Sequence, residues 1–145
     1  MVNWVAHSKI QERHYDGTAA LDLDDTVGGT TINLGIVTES TINPDTNSLY
    51  SGLTAVATAT GWTGPVALAN LSCALDGSND LVFDADDPTQ IAQDASGFSN
   101  GRSVVLYRSD DSHILASYTH PQAFGNVNGP INISFDANGI LKVTI

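Results

Sequence analysis

Cysteine, positive charge and aromatic side chains are all scarce in this chain, and each scarcity removes a class of protein. With one cysteine in 145 residues, no intramolecular disulfide can form and no paired-cysteine zinc spacing exists. That residue, Cys73, alternates with Leu71 and Leu75, and no histidine or basic residue lies near it in sequence to favour the thiolate. It is read as a buried structural thiol, not a nucleophile. Five lysines and arginines stand against sixteen aspartates and glutamates, a formal net charge of −11. Such an acidic balance repels nucleic-acid phosphates and anionic lipid, and argues against both as direct partners. No apolar run approaches the roughly 20 residues of a membrane span. The opening residues MVNWVAHSKIQERH lack the apolar core and cleavage site of a secretory signal, so a soluble chain without an export signal is expected.

Enzyme motifs are missing as well. There is no G-x-S-x-G elbow, phosphate-cradling loop, dinucleotide fingerprint or H-E-x-x-H. A hydrolase built on two carboxylates is the class that motifs leave open. With aromatics at 7% of the chain, a sugar cleft lined by rings is not expected. No catalytic residue and no cofactor is expected.

What the sequence does have is glycine, threonine, serine, asparagine and alanine between short alternating apolar runs, the composition of a turn-rich β protein. The firmest stretch runs from Val66 to Asp87. Leu71, Cys73 and Leu75 alternate, Asp76-Gly77-Ser78-Asn79 forms a turn, and Leu81-Val82-Phe83 resumes strand chemistry, which predicts an antiparallel hairpin. Ile32, Leu34 and Ile36 alternate in a half-buried strand. Val104 to Arg108 is a continuous apolar run suited to a central strand covered on both faces. Asp110-Asp111-Ser112 then turns the chain into Ile114 to Tyr118, a second hairpin. Ile131 to Phe135, a turn at Asp136 to Gly139, and Ile140 to Ile145 predict a third. Thr54 to Thr60 reads as a strand with a small-residue face, and Pro88 to Asn100 as a linker anchored by Ile91.

The single helical expectation is an amino-terminal arm over about residues 3–15, in which Trp4, Val5, Ala6 and Ile10 supply apolar positions and Gly17 a stop. The fold class that follows is mainly β: a single domain over residues 1–145, an antiparallel β-sandwich or jelly-roll-like fold with a short N-terminal helix.

The remaining candidate ligands have plain alternatives. His7 and His14 would share a helix face, but helical metal pairs are spaced by four, not seven, so both are read as exposed or end-capping. The acidic clusters beginning at Asp22, Asp76 and Asp84 all lack the glycine and glutamate that a calcium loop needs at its sixth and twelfth positions, and are read as solvated turns. Trp62, in the bend Gly61 to Pro65, is read as covering the end of the core. His113 and His120 lack a triad. The glycosylation sequons at Asn70 and Asn132 fall within predicted strands and are discounted.

Several segments, in order, resemble a family of small bacteriophage virion proteins: the lead-in Leu21 to Thr26, the strand Ile32 to Val37, the Pro44-Asp45-Thr46 loop and the bend Gly61-Trp62-Thr63. The series continues with Val82-Phe83-Asp84-Ala85-Asp86-Asp87, Val104 to Arg108, Ile114 to Tyr118 and Phe135 to Leu141. The resemblance spans nearly the whole chain and departs from the pattern at Pro88 to Asn100 and Ser109 to His113. It implies a capsid decoration or cement protein on the outer capsid surface, with the major capsid protein and its own copies, as a homotrimer, for partners. A tail-associated or host-surface glycan-binding module is the alternative. Trp4, His7, Trp62 and Phe124 are the candidate interface residues, because large aromatics are favoured anchors.

Overall fold

The computed structural model describes residues 4–7 and 31–143. Its spine is three antiparallel strands: β2 (Ile32–Val37), β6 (Gly101–Arg108) and β7 (Ile114–Phe124). β6 lies between the other two, with β1 (Val5–Ala6) added beyond β7 and β3 (Val66–Ala67) beyond β2, in the order β1-β7-β6-β2-β3. A second antiparallel sheet holds β4 (Ser72–Leu75), β5 (Leu81–Asp84) and β8 (Leu141–Val143), in the order β4-β5-β8.

Strand periodicity divides the apolar residues of the large sheet between its two faces. Ile32, Leu34 and Ile36 of β2, with Val104 and Leu106 of β6, join the main core, which also takes in Phe83 of β5, Ile140 and Trp62. Val37, Val105, Tyr107 and Ile114 point the other way into a smaller cluster, closed by Tyr50 and Leu53 from a 3-10 turn at Tyr50–Gly52. Burial on both faces is why Val104 to Tyr107 reads as an unbroken apolar run.

The predicted hairpins fare differently. β4 and β5 pair as expected, with Leu75 opposite Leu81 at the turn, although Leu75 is 60% exposed. β6 and β7 form the second hairpin. The third does not form. Ile131 to Phe135 runs extended with a single bridge, Ile91↔Ile131, and β8 pairs with β5 instead. The turn at Asp136 is present, with Gly139 N–H donating to Asp136 O, so local turn chemistry was right and the pairing partner was not. Thr54 to Thr60 makes isolated bridges, Val37↔Ala55 and Ala59↔Trp62, rather than a strand.

The N-terminal helix is corrected. Among the described residues there is no α-helix, and Val5–Ala6, inside the expected arm, are strand β1, paired to Ser117 and Ala116 of β7. The His7 N–H continues the contact to Leu115 O at 2.9 Å. An isolated helix of two or three turns is marginal in water, whereas Val5 to His7 on the sheet edge gain ladder hydrogen bonds and set Trp4 against Tyr118. Residues 8–15 of the expected arm, His14 and the Leu21 to Thr26 lead-in lie outside the described residues.

Candidate functional site

The carboxyl-terminal half of β7 builds the most site-like feature among the described residues. Past Ser117 the strand carries Tyr118, His120, Pro121 and Phe124. Its register against β6 shifts between the pairs Ser103↔Thr119 and Gly101↔Phe124, and such irregularities re-aim side chains. Pro121 has no N–H to offer a ladder, which restricts it to such a position or to an edge. Within the irregular segment the His120 Nδ1 lies 2.8 Å from Gln122 O.

The rings fall into one succession. Phe135 to Trp4 is 5.9 Å between centroids, Trp4 to Tyr118 6.4 Å, Tyr118 to His120 6.4 Å and His120 to Phe124 5.8 Å, all tilted or edge-on. Such tilted and edge-on contacts are the favoured geometry of aromatic pairs. The opposite wall is the extended segment at residues 130–134. That wall is pinned along its length: Ile91 and Ile131 exchange backbone hydrogen bonds, Gln90 Nε2 donates to Asn132 Oδ1 at 2.5 Å, and Phe135 N–H donates to Asp87 Oδ1 at 2.6 Å. Because Ile131 and Ile133 pack inward, Asn132 and Ser134 are left exposed. Wall and rings enclose a groove of about 360 Å³ with no lysine, arginine, aspartate or glutamate among its described lining residues, a volume at the lower end of the range for small-ligand clefts.

Two of the four candidate interface residues meet here, Trp4 and Phe124. The other two do not. Trp62 is 2% exposed and packs on Phe98 at 6.1 Å, covering the core as the sequence suggests and leaving no surface for a partner. His7 is fully buried, not exposed, with its Nε2 2.9 Å from Ser117 Oγ. Burial, the dominant effect, lowers its pKa below 6.5 against the opposing pull of the Asn47 backbone and Asp45. With Ser117 itself 3% exposed, this base and hydroxyl hold β1 to β7 and are out of reach of a substrate.

Several other charged groups serve local structure. Arg108, buried at the end of β6, pairs with Asp110 at 2.6 Å and Asp111 at 3.6 Å. Burial opposes ionisation of Asp111, but the His113 N–H and the Arg108 charge outweigh it and hold its pKa low. Asp76, first residue of one rejected calcium register, accepts the Ser78 and Asp80 N–H groups within its own turn. Among the described residues no group of three or more His, Cys, Asp or Glu side chains is placed to hold a metal ion. Both sequon asparagines are exposed and outside strands, contrary to expectation, and Asn70 takes a φ of +51° in the bend before β4.

Sequence reasoning missed Tyr118 and His120 as site residues and took the wall for a strand. Their i, i+2 spacing was visible, but it pointed to a site only with Trp4 placed beside them. Comparison with known proteins finds no significant match to any family model, curated protein or solved structure.

Proposed function

We propose that this chain is a non-catalytic component of a bacteriophage particle, a decoration or cement protein that sits on the outer surface of the shell, binds the major capsid protein and associates with its own copies as a trimer. The observation that carries the reading is the ordered series of segments, from Ile32 to Leu141, that resembles small virion proteins. Within the described residues those segments are scaffold: β2, the Trp62 bend, β5 with its exit, the β6–β7 hairpin and the turn at Asp136. A family held together by such positions shares a shape rather than a reaction centre. The acidic balance is in keeping with a surface protein present in many copies, since like charge opposes clumping of particles, and repeated attachment allows each contact to be modest.

Cryo-electron microscopy of the virion, together with native mass spectrometry of the purified chain, tests the proposal. Density for this fold at regular sites on the shell and a mass three times that of the chain are expected. Density confined to the tail, or absence from the particle, overturns it.

A further inference from the structure

We infer that the groove between β7 and residues 130–134 is a binding site for a neutral carbohydrate, one or two sugar rings in extent. Sugars present two kinds of surface at once: patches of C–H that rest on aromatic rings, and hydroxyls that need donors and acceptors. The groove offers both. Trp4, Tyr118 and Phe124 supply ring surface, and base-free stacking of this kind excludes water from apolar faces while tolerating polar neighbours.

Three polar groups along the same groove are not consumed by contacts among the described residues. The Asn132 side chain spends its Oδ1 on Gln90, which leaves its Nδ2 without a partner among the described residues. The Ser134 hydroxyl makes no hydrogen bond among them either. Among the described residues His120 uses Nδ1 alone, with Gln122, leaving Nε2 over. An amide donor, a hydroxyl and an imidazole nitrogen are the mixture that fixes the orientation of a polyol.

Other ligand classes fit less well. Among the described lining residues an anion finds no lysine or arginine, and a cation finds rings but no carboxylate. An alkyl chain would desolvate Asn132, Ser134 and His120 without replacing their hydrogen bonds to water, which opposes its binding. The sparse aromatic content that made a sugar cleft unexpected is offset by placement, because the fold brings Trp4, Tyr118, Phe124 and Phe135 together at one end of β7. The inference concerns the isolated chain and does not depend on where it sits in a particle. A sugar bound in solution is therefore compatible with failure of the shell assignment, and the reverse holds as well.

The test uses the full chain, probed on an array of neutral glycans and by saturation-transfer NMR with maltose, cellobiose, lactose and N,N′-diacetylchitobiose, with choline and decanoate as representatives of the competing classes. Saturation of the ring C–H protons of at least one disaccharide is expected. Ser134→Ala and Asn132→Ala change exposed side chains outside any strand, and although the latter removes the surface bond from Gln90, the wall keeps its backbone pins at Ile131 and Phe135, so both amide spectra should stay folded. Asn132→Ala should weaken that sugar about tenfold, equivalent to about 1.4 kcal/mol. Tyr118→Ala should weaken it at least as much, and Tyr118→Phe, which keeps the ring, should retain most of the binding. Three results overturn the inference: no glycan or disaccharide binding, sugar binding unchanged by both Asn132→Ala and Ser134→Ala, or choline or decanoate bound in the groove in place of sugar.

Discussion

Asn126 is a polar side chain with no exposure, and it is tolerable there because the fold uses its hydrogen-bonding capacity. Its Nδ2 donates to Thr60 O and Ala92 O, each at 2.9 Å, and its Oδ1 accepts from Phe98 N–H at 2.9 Å. One amide thereby ties the Trp62 bend to the segment before β6. Gly97 makes room for it, since a Cβ there would collide with the Asn126 amide. Asn126→Ala should cost about 3 kcal/mol in urea unfolding, because it strands buried backbone groups that each cost about 1–3 kcal/mol unpaired.

Tyr50 presents the opposite case. Its ring stacks on Tyr107 at 4.0 Å and 4° and lies over Gly35, yet its buried hydroxyl has no partner among the described residues. Burial above all, with Tyr107 and Glu39 adding to it, pushes its pKa up to about 12. The folded state keeps that proton longer than the unfolded chain does, so the associated stability is present below pH 10 and lost as pH rises toward 12. Tyr50→Phe should leave stability at pH 7 unchanged or slightly higher and should shrink the loss between pH 7 and pH 11, measured by denaturant titration at both values. For His7 the sign reverses. Its lowered pKa means that the folded state resists a proton the unfolded chain accepts, so stability falls as pH drops below 6.5. His7→Gln should flatten that acid limb.

Among the elements, those whose strands are joined by short turns were legible. Asp76-Gly77-Ser78-Asn79 and Asp110-Asp111-Ser112 announce the β4–β5 and β6–β7 hairpins because turn chemistry and both strands lie within one local window. The pairing of β8 with β5 was not legible, since residues 81–83 meet residues 141–143 across a separation that no local pattern encodes. Alternation in Ile131 to Phe135 reported truly which side chains face the core, but inward-facing residues need no ladder to be buried. The helical arm failed for a related reason: a few apolar residues at a free sheet edge gain more from β7 than from their own helix. The same logic explains why half of the groove was visible as Trp4 and Phe124, while the wall that turns rings into a site was taken for a strand. Hydrogen exchange should separate these elements. Amides of β2 and β6 should be the slowest, and those of Asn132 to Ser134 should exchange orders of magnitude faster despite their strand-like sequence.

For the whole molecule the dominant fact is charge: −11 spread over a chain in which only 14% of residues are charged. Few cations are present to offset the carboxylates, and one of them, Arg108, is committed to Asp110 and Asp111 at one hairpin end. Self-repulsion therefore opposes the compact state more than the extended one. Salt should relieve it. The Debye length falls from about 30 Å at 0.01 M to about 3 Å at 1 M ionic strength, from the scale of the domain to that of a contact. If screening returns about 1 kcal/mol, the melting temperature should rise by several degrees between those limits. Sodium chloride and sodium sulfate at matched ionic strength separate two causes, because screening depends on ionic strength alone, whereas sulfate also strengthens apolar burial by exclusion from the surface. Equal rises in the two salts below about 0.2 M, where exclusion is weak, assign the effect to charge. A melting temperature that stays flat over that range would mean that the carboxylates are too widely spaced to repel, and the argument that their charge keeps crowded copies apart would lose its footing.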